Sequence, residues 1–260
     1  MFNVLRLAPL FLVFPLAATA AALEPVPSAV FAWDEGQPVA TATGEIRPLI
    51  HGSALDLSEL TVEGVTLNKG CAQKYDAAGN DEVLIIVKSG VLKAGLGEQT
   101  KLLSKGGVAY LVNGDSIKVA VEGDAPSTFY LFRYSGIAPA DHARGVAAGG
   151  SILLPWDEVN YEPSDRGGYR QQFRRPTGLF DTFEMHTTTM IPGLINHEVH
   201  THHAEELVLM TSSNVQMQID GKTIYAKEGD LMFLGADVPH GLLSDLGTEP
   251  TEYFAFQWWK

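Results

Sequence analysis

Four residues in the C-terminal third of the chain have the types and spacing of a metal site. His200, His202 and Glu206 follow one another at even intervals, and His240 comes after a turn containing Gly229. Side chains alternate along a β-strand, so residues of equal parity share one face and can converge on one ion. Three imidazoles and one carboxylate suit a divalent transition metal (Mn, Fe, Zn, Ni or Co). The spacing therefore predicts one metal ion with coordination positions left for water or substrate.

Three residues near this set are candidate catalytic groups. Glu198 shares parity with His200 and could act as a fifth ligand or a general base; the alternative is a solvated carboxylate at a strand end. Glu184 and His186 lie in an alternating stretch, 180–190. They are candidate acid/base partners at the mouth of a barrel, with a pair on a strand surface as the alternative.

Four further residues lie beside the predicted site. His203 and Glu205 have the opposite parity from the ligands, so we expect them to face outward or toward a subunit interface rather than to transfer protons. Gln257 and Trp258 close the last strand. One of these two is expected to point into the cavity.

The remaining sequence indicates an all-β protein. Short runs rich in β-branched, aliphatic and aromatic residues are separated by Gly, Pro, Asn and Asp, and helical periodicity is nearly absent. The clearest runs are 83–87, 108–112, 129–132, 207–210, 231–234 and 253–256. Many short strands with turn-rich connections are typical of sandwiches and barrels.

An internal repeat indicates two related halves. Three pairs of segments resemble one another at an offset near 124 residues: 82–90 with 206–214, 105–112 with 228–235, and 128–133 with 252–257. This period is too long for a solenoid and fits a duplicated domain. We predict a signal peptide at 1–22, an N-terminal barrel at 23–150, a connecting segment at 151–178 and a C-terminal barrel at 179–260.

The N-terminal copy lacks the ligand set. At the repeat offset, the positions of the metal ligands are occupied by Asp76, Ala78, Glu82 and Ile117. These residues supply no imidazole, so we expect this half to be metal-free and structural.

The pattern His-x-His-x3-Glu followed by Gly-x10-His resembles the paired metal motifs of the cupin superfamily. The resemblance covers both halves and implies two tandem cupin barrels, each a double-stranded β-helix or jelly roll. Ser213 and Asn214 stand where a Gly is usual, Gly235 where a Pro is usual and Asp237 where a second Gly is usual. These are turn positions, so they affect loop shape more than metal ligation.

Among two-barrel cupins, the architecture is similar to the (S)-ureidoglycine aminohydrolase family, manganese enzymes with the metal in the C-terminal half. That family's pattern is Glu-x-His-x3-His with a later Gln. Only His202 matches it here, because His200, Glu206 and His240 stand at the other three positions.

The N-terminus has the layout of a secretory signal peptide. Arg6 precedes an apolar run at 7–16 and a small-residue stretch at 17–22, with cleavage expected after Ala20 or Ala22. We therefore expect a periplasmic or secreted protein that acquires its metal outside the cytoplasm.

Composition excludes several classes of partner. The formal charge is −13, and loss of the signal with Arg6 makes it −14. Such an acidic protein repels nucleic acid and anionic lipid, so we expect neither nucleic-acid binding nor membrane association after signal removal. Cys71 is the single cysteine, which excludes an internal disulfide. A homodimer is plausible because exposed sheet edges commonly pair.

Two classes of function fit these features. The first is a metalloenzyme acting on a small oxygen-rich metabolite by hydrolysis, isomerisation, elimination or oxygenation. The second is a non-catalytic protein that binds a small molecule or the metal itself. An activity like that of (S)-ureidoglycine aminohydrolase is the named alternative that the resemblance supplies.

Overall fold

The computed structural model describes residues 22–112, 114–193, 195–244 and 249–260. The expected signal peptide lies outside the described residues, apart from Ala22. Among the residues described, no helix is long and apolar enough to cross a membrane.

The chain is built almost entirely from strands. The strands of the N-terminal half are β1 (Ala29–Phe31), β2 (Val39–Thr41), β3 (Gly44–Gly52), β4 (Leu57–Leu67), β5 (Ala72–Asp76), β6 (Asp81–Ser89), β7 (Leu92–Leu96), β8 (Gln99–Leu103), β9 (Val108–Leu111), β10 (Ser116–Val121), β11 (Ser127–Gly136) and β12 (Ile152–Leu154). Those of the C-terminal half are β13 (Glu162–Ser164), β14 (Gly167–Arg175), β15 (Thr182–Met190), β16 (Ile195–His200), β17 (Glu205–Ser212), β18 (Asn214–Ile219), β19 (Lys222–Lys227), β20 (Leu231–Leu234), β21 (His240–Ser244) and β22 (Thr251–Trp259). Helix α1 (His142–Ala147) and a 3₁₀ turn (Trp156–Glu158) lie between the halves.

The described strands form two pairs of sheets, and each pair makes one barrel. The N-terminal barrel faces the seven-stranded sheet β12-β9-β6-β11-β4-β3-β2 with the four-stranded sheet β5-β10-β7-β8. The C-terminal barrel faces β1-β20-β17-β22-β15-β14-β13 with β16-β21-β18-β19. The paired strands run antiparallel. The all-β prediction with two jelly-roll barrels is confirmed.

Three hydrophobic clusters hold the barrels together. One fills the interior of each barrel, and the third lies between the two seven-stranded sheets. In β4, Leu60 and Val62 face the other barrel, whereas Val65 and Leu67 face the interior of their own. Because both faces of these sheets are covered, central strands such as β6 and β17 are buried along most of their length.

The short strand that precedes each barrel in the chain joins the sheet of the other barrel. Strand β1 pairs with β20 of the C-terminal sheet, where Phe31 lies opposite Leu231. Strand β12 pairs with β9 of the N-terminal sheet, where Leu154 lies opposite Val108. The exchange covers a sheet edge that would otherwise expose unpaired backbone groups.

The segment 151–178, predicted to connect the barrels, supplies strands to both. Strand β12 joins the N-terminal sheet, and β13 and β14 form the edge of the C-terminal sheet. Helix α1 is capped by the side chain of Asp141 and is fastened by Arg144, which donates to the carbonyls of Thr177 and Gly178. The C-terminal sheet therefore begins within the segment assigned to the connection.

Two buried carboxyl groups link the barrels in equivalent ways. Glu82 accepts hydrogen bonds from the hydroxyl of Tyr110 and, at 3.1 Å, from the backbone N–H of Leu179 in the other half. Glu205 accepts from Trp258 Nε1 at 3.1 Å and from the backbone N–H of Leu55 at 2.9 Å. The expectation that Glu205 faces outward or toward a subunit interface is corrected. It faces away from the ligands, but it is buried between the two barrels of its own chain.

The same substitution is expected to affect these two carboxyl groups differently. Glu205 meets two donors, so Glu205→Gln leaves one donor without an acceptor and should cost about 1–3 kcal/mol. A glutamine at position 82 can still accept from Leu179 and donate to the Tyr110 oxygen. Glu82→Gln should therefore unfold at no lower temperature than the wild type, whereas Glu205→Gln should lose roughly 2–4 °C in Tm per kcal/mol. Differential scanning calorimetry of the wild type and the two variants measures these differences in Tm.

The wild type and Glu82→Gln should also differ in how their free energy of unfolding depends on pH. Burial raises the pKa of Glu82 above its usual value, so the folded state holds this proton more tightly than the unfolded state. This contribution to wild-type stability is complete below the unfolded pKa and is lost as pH rises through the folded pKa. Glu82→Gln should lack that decline, and an identical decline in both proteins would contradict the assignment.

Candidate metal centre

Three strand ends and one short connection bring the predicted ligands to one place. His200 ends β16, His240 begins β21, and the two residues are paired across these strands. His202 lies in the short connection to β17, and Glu206 is the second residue of β17. One ring nitrogen from each of His200, His202 and His240 lies within 4.8 Å of the other two. The structure thus brings the three histidines together as the spacing predicted.

The backbone orients all three rings in the same way. Nδ1 of His200 lies 2.9 Å from the carbonyl of Glu198. Nδ1 of His202 and Nδ1 of His240 each lie 2.8 Å from a carbonyl, those of Ala204 and Val238. A carbonyl only accepts, so Nδ1 carries the proton in each neutral ring and Nε2 keeps its lone pair. Such bonds fix the tautomer of metal-binding histidines.

Glu206 adds a negative charge at the centre of this set. Its Oε2 lies 3.2 Å from Nε2 of His202 and 3.4 Å from Nε2 of His240. Burial raises the pKa of Glu206, but the hydrogen bond that the protonated His202 ring donates through Nε2 and the nearby His240 ring outweigh burial and lower the pKa to about 2. The hydrogen bond to Glu206 in turn raises the pKa of His202. These contacts therefore favour the ionised form of Glu206.

The donor set fits a divalent transition metal. Among the residues that the structure describes, Nε2 of His240 is buried without a hydrogen-bond partner, a costly state that a bound cation would relieve. Three imidazole nitrogens and a carboxylate oxygen are a donor set that these metals favour.

A cavity of about 140 Å³ opens onto the cluster from inside the C-terminal barrel. Glu184, Gln257 and Glu206 form a row across its wall, because Gln257 of β22 is paired with Glu184 on one side and Glu206 on the other. Gln257 thus lines the cavity, whereas Trp258 packs between the barrels. The apolar walls include Val208, Met217, Leu234, Leu242 and Ala255.

Two of the three candidate catalytic residues share this cavity. Nδ1 of His186 lies 3.5 Å from Oε1 of Glu184, and Arg174 lies 3.3 Å from the other oxygen of the same carboxylate. Burial lowers the pKa of His186, against the opposing charges of Glu184 and Glu206, so its ring favours the neutral form. The ring of Tyr169 packs against His186 at 5.2 Å between centroids.

The other flanking residues lie away from the cavity. The side chain of Glu198 is exposed and lines a separate groove with Val199, so only its backbone carbonyl supports the cluster, through His200. His203 is exposed and pairs with Asp237 at 3.0 Å. The outward direction expected of His203 agrees with this placement.

Sequence reasoning missed Tyr169 and Arg174, because both lie in the segment assigned to the connection. A repeat signal was nevertheless present. Strand β14 corresponds to β3, each begins with a glycine of positive φ, and Arg170 repeats Arg47. Each of these arginines packs over a tryptophan ring, Trp156 for Arg170 and Trp33 for Arg47.

The N-terminal counterparts of the ligands differ from those expected. Ile86 lies opposite Val108 as Leu209 lies opposite Leu231, which makes Glu82 the counterpart of Glu205. Val83 therefore replaces Glu206.

The counterparts of the histidines follow from the pairing of β5 with β10. Tyr75, not Asp76, lies opposite Ile117, just as His200 lies opposite His240. Ala77 rather than Ala78 then corresponds to His202. The alignment was wrong by one residue here because it matched glutamate to glutamate.

Comparisons with known proteins agree with this architecture. The family model described as "Cupin domain" matches residues 186–256. This range includes all four predicted ligands and the chain from β17 into β22. The chain is 24% identical over 189 residues to (S)-ureidoglycine aminohydrolase from Escherichia coli strain K12, covering 73% of this chain and 69% of that protein.

Solved structures share the fold across both barrels. A protein named Ylba from E. coli superposes with a TM-score of 0.68 at 17% identity, covering 88% of this chain and 89% of the other. AerE from Microcystis aeruginosa superposes with a TM-score of 0.65 at 9% identity, covering 90% of this chain and 100% of the other. A mutant of Bacillus subtilis oxalate decarboxylase superposes with a TM-score of 0.67 at 11% identity, covering 94% of this chain and 80% of the other. Residues 186–256 are therefore a cupin domain, and the chain as a whole shares its two-barrel fold with these solved structures.

Proposed function

We propose that this protein binds one divalent transition metal through His200, His202, Glu206 and His240, and that it is a metal-dependent enzyme acting on a small oxygen-rich metabolite. The observation that carries the proposal is the common orientation of the three rings. In each ring Nδ1 is held by a backbone carbonyl, and Nε2 of His202 and of His240 lies beside the buried carboxylate of Glu206. From the sequence at 1–22, we also propose that the enzyme works outside the cytoplasm.

The size and lining of the cavity support a small polar substrate. Its volume of about 140 Å³ is below the ~300–1,000 Å³ of pockets that hold drug-sized ligands. The apolar walls would exclude water, while Gln257 offers an amide to orient an oxygen of the substrate. A bound metal would polarise a substrate carbonyl or carboxylate, or lower the pKa of a water molecule.

His186 is our candidate proton carrier. Its pKa is lowered by burial, so the ring is available to accept a proton, and Glu184 lies close enough to stabilise the charged form. Hydrolysis, isomerisation and elimination each need such a group beside the substrate. We therefore favour these proton-moving reactions over oxygenation.

Metal content tests the ligand assignment. Mature wild-type protein should hold about one equivalent of a transition metal, as measured by elemental mass spectrometry. His240→Ala and Glu206→Gln should lose most of it, because each removes one of the four donors. His203→Ala is the matched control, since His203 is exposed and pairs outside the cluster. Loss of metal in the control, or its retention in both ligand variants, would contradict the assignment.

Activity tests the role of the flanking pair. Against a panel of small hydroxy acids, keto acids and ureido compounds, the wild type should turn over at least one member. His186→Asn should lower kcat by about 10²–10⁴-fold, the usual contribution of general acid–base catalysis. Glu184→Gln should lower it less, and both variants should keep their metal. A metal-loaded wild type without turnover would favour a binding protein instead.

The 24% identity to (S)-ureidoglycine aminohydrolase gives a second candidate for the same site. The ligand types differ from that family's at three positions, which argues against it. Release of ammonia from ureidoglycine in the panel would identify this activity, and the His200→Glu and Glu206→His variants would show whether the ligand types decide it.

A further inference from the structure

The N-terminal barrel contains a cavity of its own, which the proposed function does not use. Its volume is about 290 Å³, and it lies between the β2–β3 turn and strands β4, β5 and β11. Its apolar wall is formed by Ile46, Val65, Leu67 and Leu131. Thr41, Ala42 and Gln73 are exposed at its rim. The cavity is therefore open to solvent at one side and apolar inside.

This cavity borders the place that the metal cavity has in the other barrel, and three of its lining residues, Glu63, Tyr75 and Leu131, have counterparts that line the metal cavity. Glu63 is paired with Leu131 as His186 is paired with Ala255, so Glu63 stands in the position of His186. Tyr75 stands in the position of His200. Val83 and Ile117, which replace Glu206 and His240, are buried in the core beside this cavity.

Glu63 is the charged group on the cavity wall. Its side chain is half-buried, and within the described residues it forms no hydrogen bond or ion pair. Arg133, the cation that acts on it, is already bound to Asp81 and to the carbonyl of Asp76, each at 3.0 Å. Burial raises the pKa of Glu63 and the charge of Arg133 opposes this. This carboxylate therefore lacks a cation at ion-pair distance among the described residues, and a bound cation would supply one.

Tyr75 supplies a second polar atom and an aromatic face. Its ring packs edge-on against Phe129 with 6.0 Å between centroids. Burial, followed by the charge of Glu63, raises the pKa of Tyr75, so its hydroxyl keeps its proton. A protonated hydroxyl can both donate and accept, and an aromatic ring attracts cations.

We propose that the N-terminal barrel binds a small organic ammonium ion, with the cationic head at Glu63 and Tyr75 and an apolar body against Val65, Leu67 and Leu131. The net charge of −13 favours the approach of cations to the whole molecule. This site is independent of the metal centre and does not rest on the proposed function.

Titration calorimetry with pentylamine and phenethylamine tests the proposal on the intact protein. At about pH 8 these amines remain protonated, since alkylammonium groups titrate near ~10. The wild type should bind at least one of them, and 1-pentanol and pentanoate should bind at least tenfold more weakly. Failure of both amines to bind would overturn the proposal.

Charge-matched variants locate the site. Glu63→Gln should weaken amine binding at least tenfold, because it removes the charge at nearly constant shape. Glu59→Gln is the control, since Glu59 lies on the same strand and pairs with His51 outside the cavity. Equal loss in both variants would indicate a general charge effect and contradict the site.

A metal-site variant separates this proposal from the function proposed above. His240→Ala should bind amine as the wild type does, although it is expected to lose its metal. Loss of amine binding in His240→Ala would place the amine at the metal centre and overturn the second site.

Discussion

The packing of one seven-stranded sheet against the other is the constraint on which the rest of the structure depends. Aromatic and aliphatic side chains from both halves fill this layer, including Phe132 against Phe256 and Tyr134 against Trp258. Neither sheet could expose such a surface to water, because burial of apolar area is the main stabilising term in folding. The two barrels therefore form a single folded unit, which the exchanged strands β1 and β12 extend at the sheet edges.

That packing also decides which side chains can reach the metal centre. One face of each central strand is committed to the other barrel, so only the alternate residues face the interior. Glu205 and Glu206 are neighbours in sequence, yet Glu205 bonds across the barrel interface and Glu206 joins the histidines. A shift of one residue would exchange their roles. The site is thus positioned by the alternation of β17, and the loops at 202–204 and 235–239 complete it.

Much of this could be predicted from the sequence, and the remainder has physical reasons. The ligand set could be predicted from its residue types and spacing, although His202 lies in a connection where strand parity does not apply, and the duplication follows from local similarity. The exchange of β1 and β12 was not predictable, because three-residue strands carry little pattern and their partners lie far away in sequence. Similarity scoring matched Glu82 to Glu206, since residue type outweighs parity in an alignment. Glu198 has the right parity, but the strand end leaves its side chain in solvent.

The interiors of the two barrels differ in the residues at the ligand positions, although the strands around them correspond. In the C-terminal barrel, ionisable groups are tolerated because they compensate one another: Glu206 is paired with imidazoles, and its pKa falls despite its burial. In the N-terminal barrel, Tyr75, Val83 and Ile117 take the ligand positions, and the interior is mostly apolar. A purely structural barrel would gain stability by replacing Glu63, whose half-buried charge has no hydrogen-bond or ion-pair partner among the described residues. An open cavity with an unpaired carboxylate is therefore better explained by ligand binding than by a role in folding.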